Sequence, residues 1–172
     1  MPPRVVLVGL PGTGKSTVGA ELARRLGVTF ADSDELIAQQ TGRSVGEIFA
    51  QQGEPAFRQL EADMIAEALA GFDGVLALGG GAVTTESVRQ DLLGSGVPVL
   101  QLCAEPAELL SRLAGSEPRP LLAGDAAGRL AELAETRSRL YAEVASVRID
   151  TDGRSVTEVA AALHGRLAGQ PM

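Results

Sequence analysis

Tryptophan is absent, and tyrosine, cysteine, histidine and lysine each occur once in a chain of 172 residues. Each scarcity excludes something. A lone Cys103 cannot form an internal disulfide, which agrees with a reducing compartment. One Tyr and four Phe offer few platforms for stacking bases, and a net charge of −7 disfavours a nucleic-acid partner. No apolar run approaches the ~20 residues of a membrane span. The short strand after Met1-Pro2-Pro3-Arg4 cannot serve as a secretory h-region. A cytoplasmic protein without a membrane partner is expected. His164, among Ala162, Leu163 and Leu167, fits a structural or exposed position on a C-terminal helix. No sustained heptad pattern or sticky strand suggests an obligate oligomer, so a monomer is expected.

What is present is glycine, at 21 residues, and an ordinary hydrophobic fraction of 45%. That is enough apolar material for one domain spanning 1–172. The stretch Gly9-Leu10-Pro11-Gly12-Thr13-Gly14-Lys15-Ser16-Thr17 fits G-x-x-x-x-G-K-[ST], a loop that cradles nucleotide phosphates. Val5 to Val8 before it reads as a buried strand, and Val18, Leu22 and Leu26 after it recur at helical spacing. Gly12 and Gly14 let the backbone approach phosphate oxygens, Lys15 would reach the β/γ-phosphates, and the Ser16 hydroxyl would meet Mg²⁺. Fourteen of the fifteen basic residues are arginine. Retaining one lysine here points to a place where a compact ammonium fits and a guanidinium does not.

Strand and helix patterns alternate, predicting a three-layer α/β fold with a mostly parallel sheet. Strands are expected at 5–8, 28–30, 74–78, 97–102 and 147–149. Helices are expected at 15–26, 35–40, 44–50, 55–70, 85–93, 106–113, 125–144 and from 155 onward. Ser44 with Glu47 and Ser155 with Glu158 form capping boxes. Residues 114–124, holding Pro118, Arg119 and Pro120, read as a loop.

Ligands of open α/β sheets gather at the carboxyl ends of strands. Asp32, Asp34 and Gly79-Gly80-Gly81 lie at such ends. If the strand continues, Asp32 and Asp34 project to one side, one toward Mg²⁺ and the other toward an acceptor hydroxyl; a helix cap and a first-turn acid are the plainer alternative. The glycine run admits a ligand against the backbone or is simply a turn. Arg58 stands one turn from both Glu54 and Glu61, as a positioned carboxylate reader or as a surface ion pair. Arg137 and Tyr141, four apart, share that ambiguity. Arg119 is either a lid cation that excludes water or an exposed loop residue.

Taken in order, these segments resemble the shikimate kinases: the glycine loop, Asp32-Ser33-Asp34, Gly53-Glu54 with Phe57-Arg58 and Glu61, Leu78 to Val83, Arg119-Pro120-Leu121-Leu122, and Arg137 before Leu140-Tyr141. The resemblance covers about Arg4 to Asp150. It implies a nucleoside-monophosphate-kinase-like fold of five parallel strands with a lid, and MgATP-dependent phosphorylation of the 3-hydroxyl of shikimate in aromatic amino-acid biosynthesis. By the same resemblance, 33–61 is the acceptor-binding helical segment and Asp34 binds the acceptor hydroxyls as candidate base. Arg58 and Arg137 clamp the carboxylate against Gly79, Gly80 and Gly81, with Phe49 and Phe57 as walls. Lys15 and Arg119 act on the phosphates, held by Gly12, Thr13, Gly14, Ser16 and Thr17. Arg112 and Arg154 flank adenine, and Asp32 assists the Ser16-bound Mg²⁺. Thr13 departs mildly from the serine frequent in the family. A gluconate kinase on the same fold and a nucleotide-binding regulator are the competing readings.

Overall fold

The computed structural model describes residues 1–114 and 125–169. Its centre is β1, Val5–Val8, in which every side chain is at most 1% exposed. Such continuous burial needs helices on both faces, and β-branched residues suit a strand so enclosed. β1 lies between β3 (Gly74–Ala77) and β4 (Val99–Cys103), with β2 (Thr29–Asp32) and β5 (Val147–Asp150) at the edges. All four pairings are parallel, giving the order β2-β3-β1-β4-β5.

Alternation along the strands divides the core into two layers. Val6, Val8, Leu76, Leu78 and Val99 face α4 (Glu54–Gly71), α5 (Glu86–Ser95) and α7 (Ala126–Val144). Val5, Leu7, Val75, Ala77, Leu100 and Leu102 face α1 (Lys15–Leu26) and α8 (Val156–Leu167). A third, smaller cluster of Ile37, Ile48, Phe57 and Met64 joins α2 (Ser33–Thr41), α3 (Val45–Gln52) and α4 into a unit beside the sheet. At about 1.5–3 kcal/mol per buried aliphatic or aromatic side chain, these clusters fix the strand ends relative to one another.

Both expected capping boxes form, at Ser44 with Glu47 and at Ser155 with Glu158. Two boundaries differ from expectation in ways that affect the site. The second strand starts and ends later than 28–30, and α2 begins immediately at Ser33, so Asp34 is carried on a helix and not on an extended strand. Ahead of α5 the chain makes a 3-10 turn at Ala82–Thr84, because the carbonyls of Gly79 and Gly81 accept the N–H groups of Ala82 and Thr84. The fourth strand starts at Val99; Pro98 precedes it and presents its carbonyl to Val6 N–H at 2.9 Å. Of the expected loop 114–124, Arg119 lies outside the described residues. Among the described residues no helix is long and apolar enough to cross a membrane.

Candidate active site

The sheet reverses its direction of growth at β1, and the phosphate-loop sequence leaves from its carboxyl end. Gly9 has a φ of 150°, and a Cβ there would strike the carbonyl of Leu102. Gly14, at φ 90° and ψ 20°, is the left-handed residue in front of α1. That helix has neither a side-chain cap nor an acid in its first turn, so its positive end remains open to an anion. Lys15 is buried, with Nζ donating to the carbonyls of Gly9 at 2.8 Å and Leu10 at 3.0 Å. The Thr13 hydroxyl is turned inward to Leu10 O at 2.8 Å, so it braces the loop, and Thr17 Oγ1 lies 3.4 Å from Gly14 O.

Ser16 Oγ donates to Asp32 Oδ2 at 2.7 Å, while Asp32 Oδ1 accepts the Asp34 N–H at 2.9 Å. Asp32 therefore caps α2, the plainer alternative, and also meets the loop serine. One hydroxyl backed by one carboxylate suits Mg²⁺, which retains waters and takes phosphate oxygens. Among the described residues no group of three or more His, Cys, Asp or Glu could hold a metal. Such a donor set fits an ion that arrives with its nucleotide. A cavity of about 370 Å³ joins Pro11, Gly12, Gly14 to Thr17, Asp32, Asp34, Leu78, Gly79, Gly80, Arg112 and Leu113.

Beyond Gly79 the surroundings become side chains of other elements. A Cβ on Gly79 would sit 2.7 Å from Asp34 Oδ1 and 3.0 Å from Glu61 Oε2, and one on Gly81 would overlap the Arg58 guanidinium. On Gly80 it would lie 2.9 Å from Pro11 Cδ and 3.4 Å from Arg137 Nη1. A side chain at any of the three would therefore displace a neighbouring group, which a plain turn does not account for. Arg58 is 13% exposed and is held by Glu61 at 2.7 Å and by Glu54 at 3.4 Å. Its guanidinium also lies 5.2 Å from the Phe57 ring centre and 5.9 Å from that of Phe49, whose rings are 4.8 Å apart. A surface ion pair does not describe it.

Glu61 is fully buried, and its Oε2 has no hydrogen-bond partner among the described residues. Burial pushes its carboxyl up to about 7, opposed by Arg58 and reinforced by the charge of Asp34. Arg137 is also buried, and Tyr141, one turn on, donates its hydroxyl to Gly80 O. Burial raises the Tyr141 phenol to about 12, so it remains a donor at neutral pH.

Arg112 bonds Gly12 O at 3.3 Å, Thr151 Oγ1 at 3.0 Å and Thr151 O at 3.1 Å, tying the loop to the end of β5. Arg154 lies in the following turn on Asp150 O at 3.3 Å, outside the cavity lining. Sequence spacing missed two contributors. Ser33 is buried between the two aspartates, with Oγ accepting the Gly79 N–H at 2.9 Å, and Thr151 anchors Arg112. Neither belongs to a periodic pattern; only a question about who satisfies Gly79 N–H would have singled out Ser33.

A parallel sheet with a glycine loop at its switch point, a lysine and a serine–aspartate pair defines a P-loop kinase. Comparison with known proteins narrows the class. The family model described as shikimate kinase matches residues 11–168. The chain is 49% identical over 168 residues to a protein of Mycobacterium tuberculosis named shikimate kinase, covering 97% of this chain and 94% of that one. It superposes with a TM-score of 0.93 on the shikimate kinase from Acinetobacter baumannii in complex with shikimate, at 34% identity over 98% of this chain and 94% of the other. For the Bacteroides thetaiotaomicron shikimate kinase the TM-score is 0.85, at 28% identity over 98% and 99%. The chain belongs to the shikimate kinase family.

Proposed function

We propose that this chain transfers the γ-phosphoryl group of ATP to the 3-hydroxyl of shikimate, giving shikimate 3-phosphate and ADP. The observation that carries the reading is the convergence of Asp34, Arg58 and Arg137 on Gly79–Gly81, directly beside a phosphate loop. A small anionic polyol needs a carboxylate clamp, a hydroxyl-orienting acid and close backbone contact, and those groups supply all three.

ATP would lay its phosphates along Gly12, Thr13, Gly14, Ser16 and Thr17, with Lys15 leaving the Gly9 and Leu10 carbonyls for phosphate oxygens. Mg²⁺ would be held by Ser16 with Asp32 behind it, and when bound it neutralises charge on the phosphates. Arg58 and Arg137 would take the acceptor carboxylate, Phe49 and Phe57 would wall the ring, and Asp34 would orient the 3-hydroxyl. As the acceptor oxygen bonds to the γ-phosphorus, the bond to the leaving ADP oxygen breaks and the hydroxyl proton passes to Asp34. Arg119 is assigned to the phosphates from the lid, and Arg112 and Arg154 to the adenine side. Lone Cys103 is consistent with a cytoplasmic enzyme; a monomer completes the reading.

The test is ADP production with shikimate against a panel of sugar acids and nucleoside monophosphates. Turnover that prefers shikimate is expected; equal turnover across the panel would overturn the assignment.

A further inference from the structure

The glycine run has few bonds of its own. Gly79 O accepts from Ala82 N at 3.0 Å, and Gly81 O accepts from Thr84 N at 3.0 Å and from Thr84 Oγ1 at 2.7 Å, all within the turn. Two bonds leave it. Gly79 N–H donates to Ser33 Oγ, and Gly80 O accepts from Tyr141. The N–H groups of Gly80 and Gly81 have no hydrogen-bond partner among the described residues. Three glycines without side chains have no packing of their own to fix where those two donors point.

The two tethers come from opposite sides. Ser33 opens α2 between Asp32, which meets Ser16, and Asp34, which faces Gly79. Tyr141 lies on α7 one turn beyond Arg137, itself against Gly80. Each tether thus links the run to the helix that carries a neighbouring charged group. Both residues are buried, at 1% and 2% exposure, so water cannot replace the lost partner cheaply.

From this arrangement we propose that Ser33 and Tyr141 are positioning residues that hold Gly79–Gly81 in register with Asp34 and Arg137, and so set acceptor affinity without touching the acceptor. The proposal rests on the phosphoryl-transfer reading above, with the glycine run on the acceptor side.

The experiment compares Ser33→Ala, Ser33→Thr and Tyr141→Phe with the unaltered protein. Each bond is a neutral one, so loss of either should raise the acceptor KM about tenfold while the ATP KM changes less than about threefold. Ser33→Thr keeps the hydroxyl and should restore the acceptor KM. Amide exchange of Gly79, followed by NMR without any substrate, should accelerate in Ser33→Ala and return in Ser33→Thr. Lower thermal stability with both KM values unchanged would make these residues merely structural and overturn the proposal; so would unchanged Gly79 exchange in Ser33→Ala. The exchange measurement is independent of the acceptor's identity. Should the unaltered protein prefer another acceptor, the function assigned above fails, and the KM comparison is read with that acceptor instead.

Discussion

The proposed nucleotide half of the site rests mainly on one unbroken stretch, Gly9 to Thr17, whose working parts are mostly backbone. The proposed acceptor half is assembled from Asp34 on α2, Arg58 on α4, the turn after β3 and Arg137 on α7. One half is a local conformation; the other is a product of packing. In the first, Thr13 and Lys15 bond back to the loop they belong to. In the second, Arg58 is held by Glu61 and Glu54 of its own helix, and the glycine run is bonded by Ser33 from α2 and Tyr141 from α7. Variants that touch only one half should therefore divide cleanly between ATP and acceptor parameters.

The largest separation is expected at Asp34. Asp34→Asn preserves shape and removes the proton acceptor, so kcat should fall about 10²- to 10⁴-fold while ATP affinity stays within a few-fold. Steady-state kinetics with ATP titration by calorimetry checks this. Unchanged turnover would break the assignment of Asp34 to the acceptor half. Next is Arg58→Ala, expected to raise the acceptor KM by an amount equivalent to about 2–5 kcal/mol, with the ATP KM little altered. An equal loss in both parameters would show that the two halves are not separable at α4.

The same contrast explains what sequence could reveal. The phosphate loop is legible because its chemistry is contiguous: glycines at fixed offsets, then Lys15 and Ser16, at a strand-to-helix junction. The fold was legible too, since the short apolar runs of β1, β3 and β4 and the helical spacing along α1 are local signals. Asp34 and Arg58 acquired definite roles only through the resemblance, because spacing alone left a helix acid and a surface pair open as alternatives. Ser33, though inside the Asp32-Ser33-Asp34 segment, and Thr151 were given no role. Their importance is to satisfy Gly79 N–H and the Arg112 guanidinium, and both facts exist only after the chain has folded. The depth of Glu61 was hidden for the same reason: Glu54 and Glu61 look alike in sequence, yet one side chain is 47% exposed and the other 1%.

That burial gives a pH test confined to the acceptor half. Glu61 is raised from 4.5 to about 7 in the folded protein, so between those values the native state binds the proton that the unfolded state has released. Its contribution to stability is complete below about pH 4.5 and is lost as pH rises through about 7. From the shift the loss is on the order of 3 kcal/mol for this group. Glu61→Gln cannot titrate, so the stability of the unaltered protein relative to it should decline by that order between pH 4.5 and 7.5. Denaturant unfolding at the two pH values measures the difference. A flat difference would mean that Arg58 holds Glu61 ionised throughout.

The smallest expected effect is the sharpest for the comparison, because it uses two neighbouring glycines. Gly81 has φ −95° and ψ −2°, a conformation open to alanine, so Gly81→Ala brings no backbone strain. The atoms nearest its Cβ would be those of the Arg58 guanidinium, with Cζ 2.6 Å and Nη1 2.8 Å away. A guanidinium at the end of a flexible side chain can yield, so the fold should survive and Arg58 should be pushed off Glu61. The expected outcome is an acceptor KM raised about tenfold, the cost of one disturbed charged contact, with the ATP KM unchanged and melting altered by a few degrees at most. Gly80→Ala differs in one respect: its Cβ would press on the Pro11 ring of the phosphate loop as well as approach Arg137. A proline ring has little freedom to move aside, so this variant should raise both KM values. If instead Gly81→Ala weakened ATP as much as acceptor, the glycine run would belong to both halves, and the boundary would move from Gly80 to beyond Gly81.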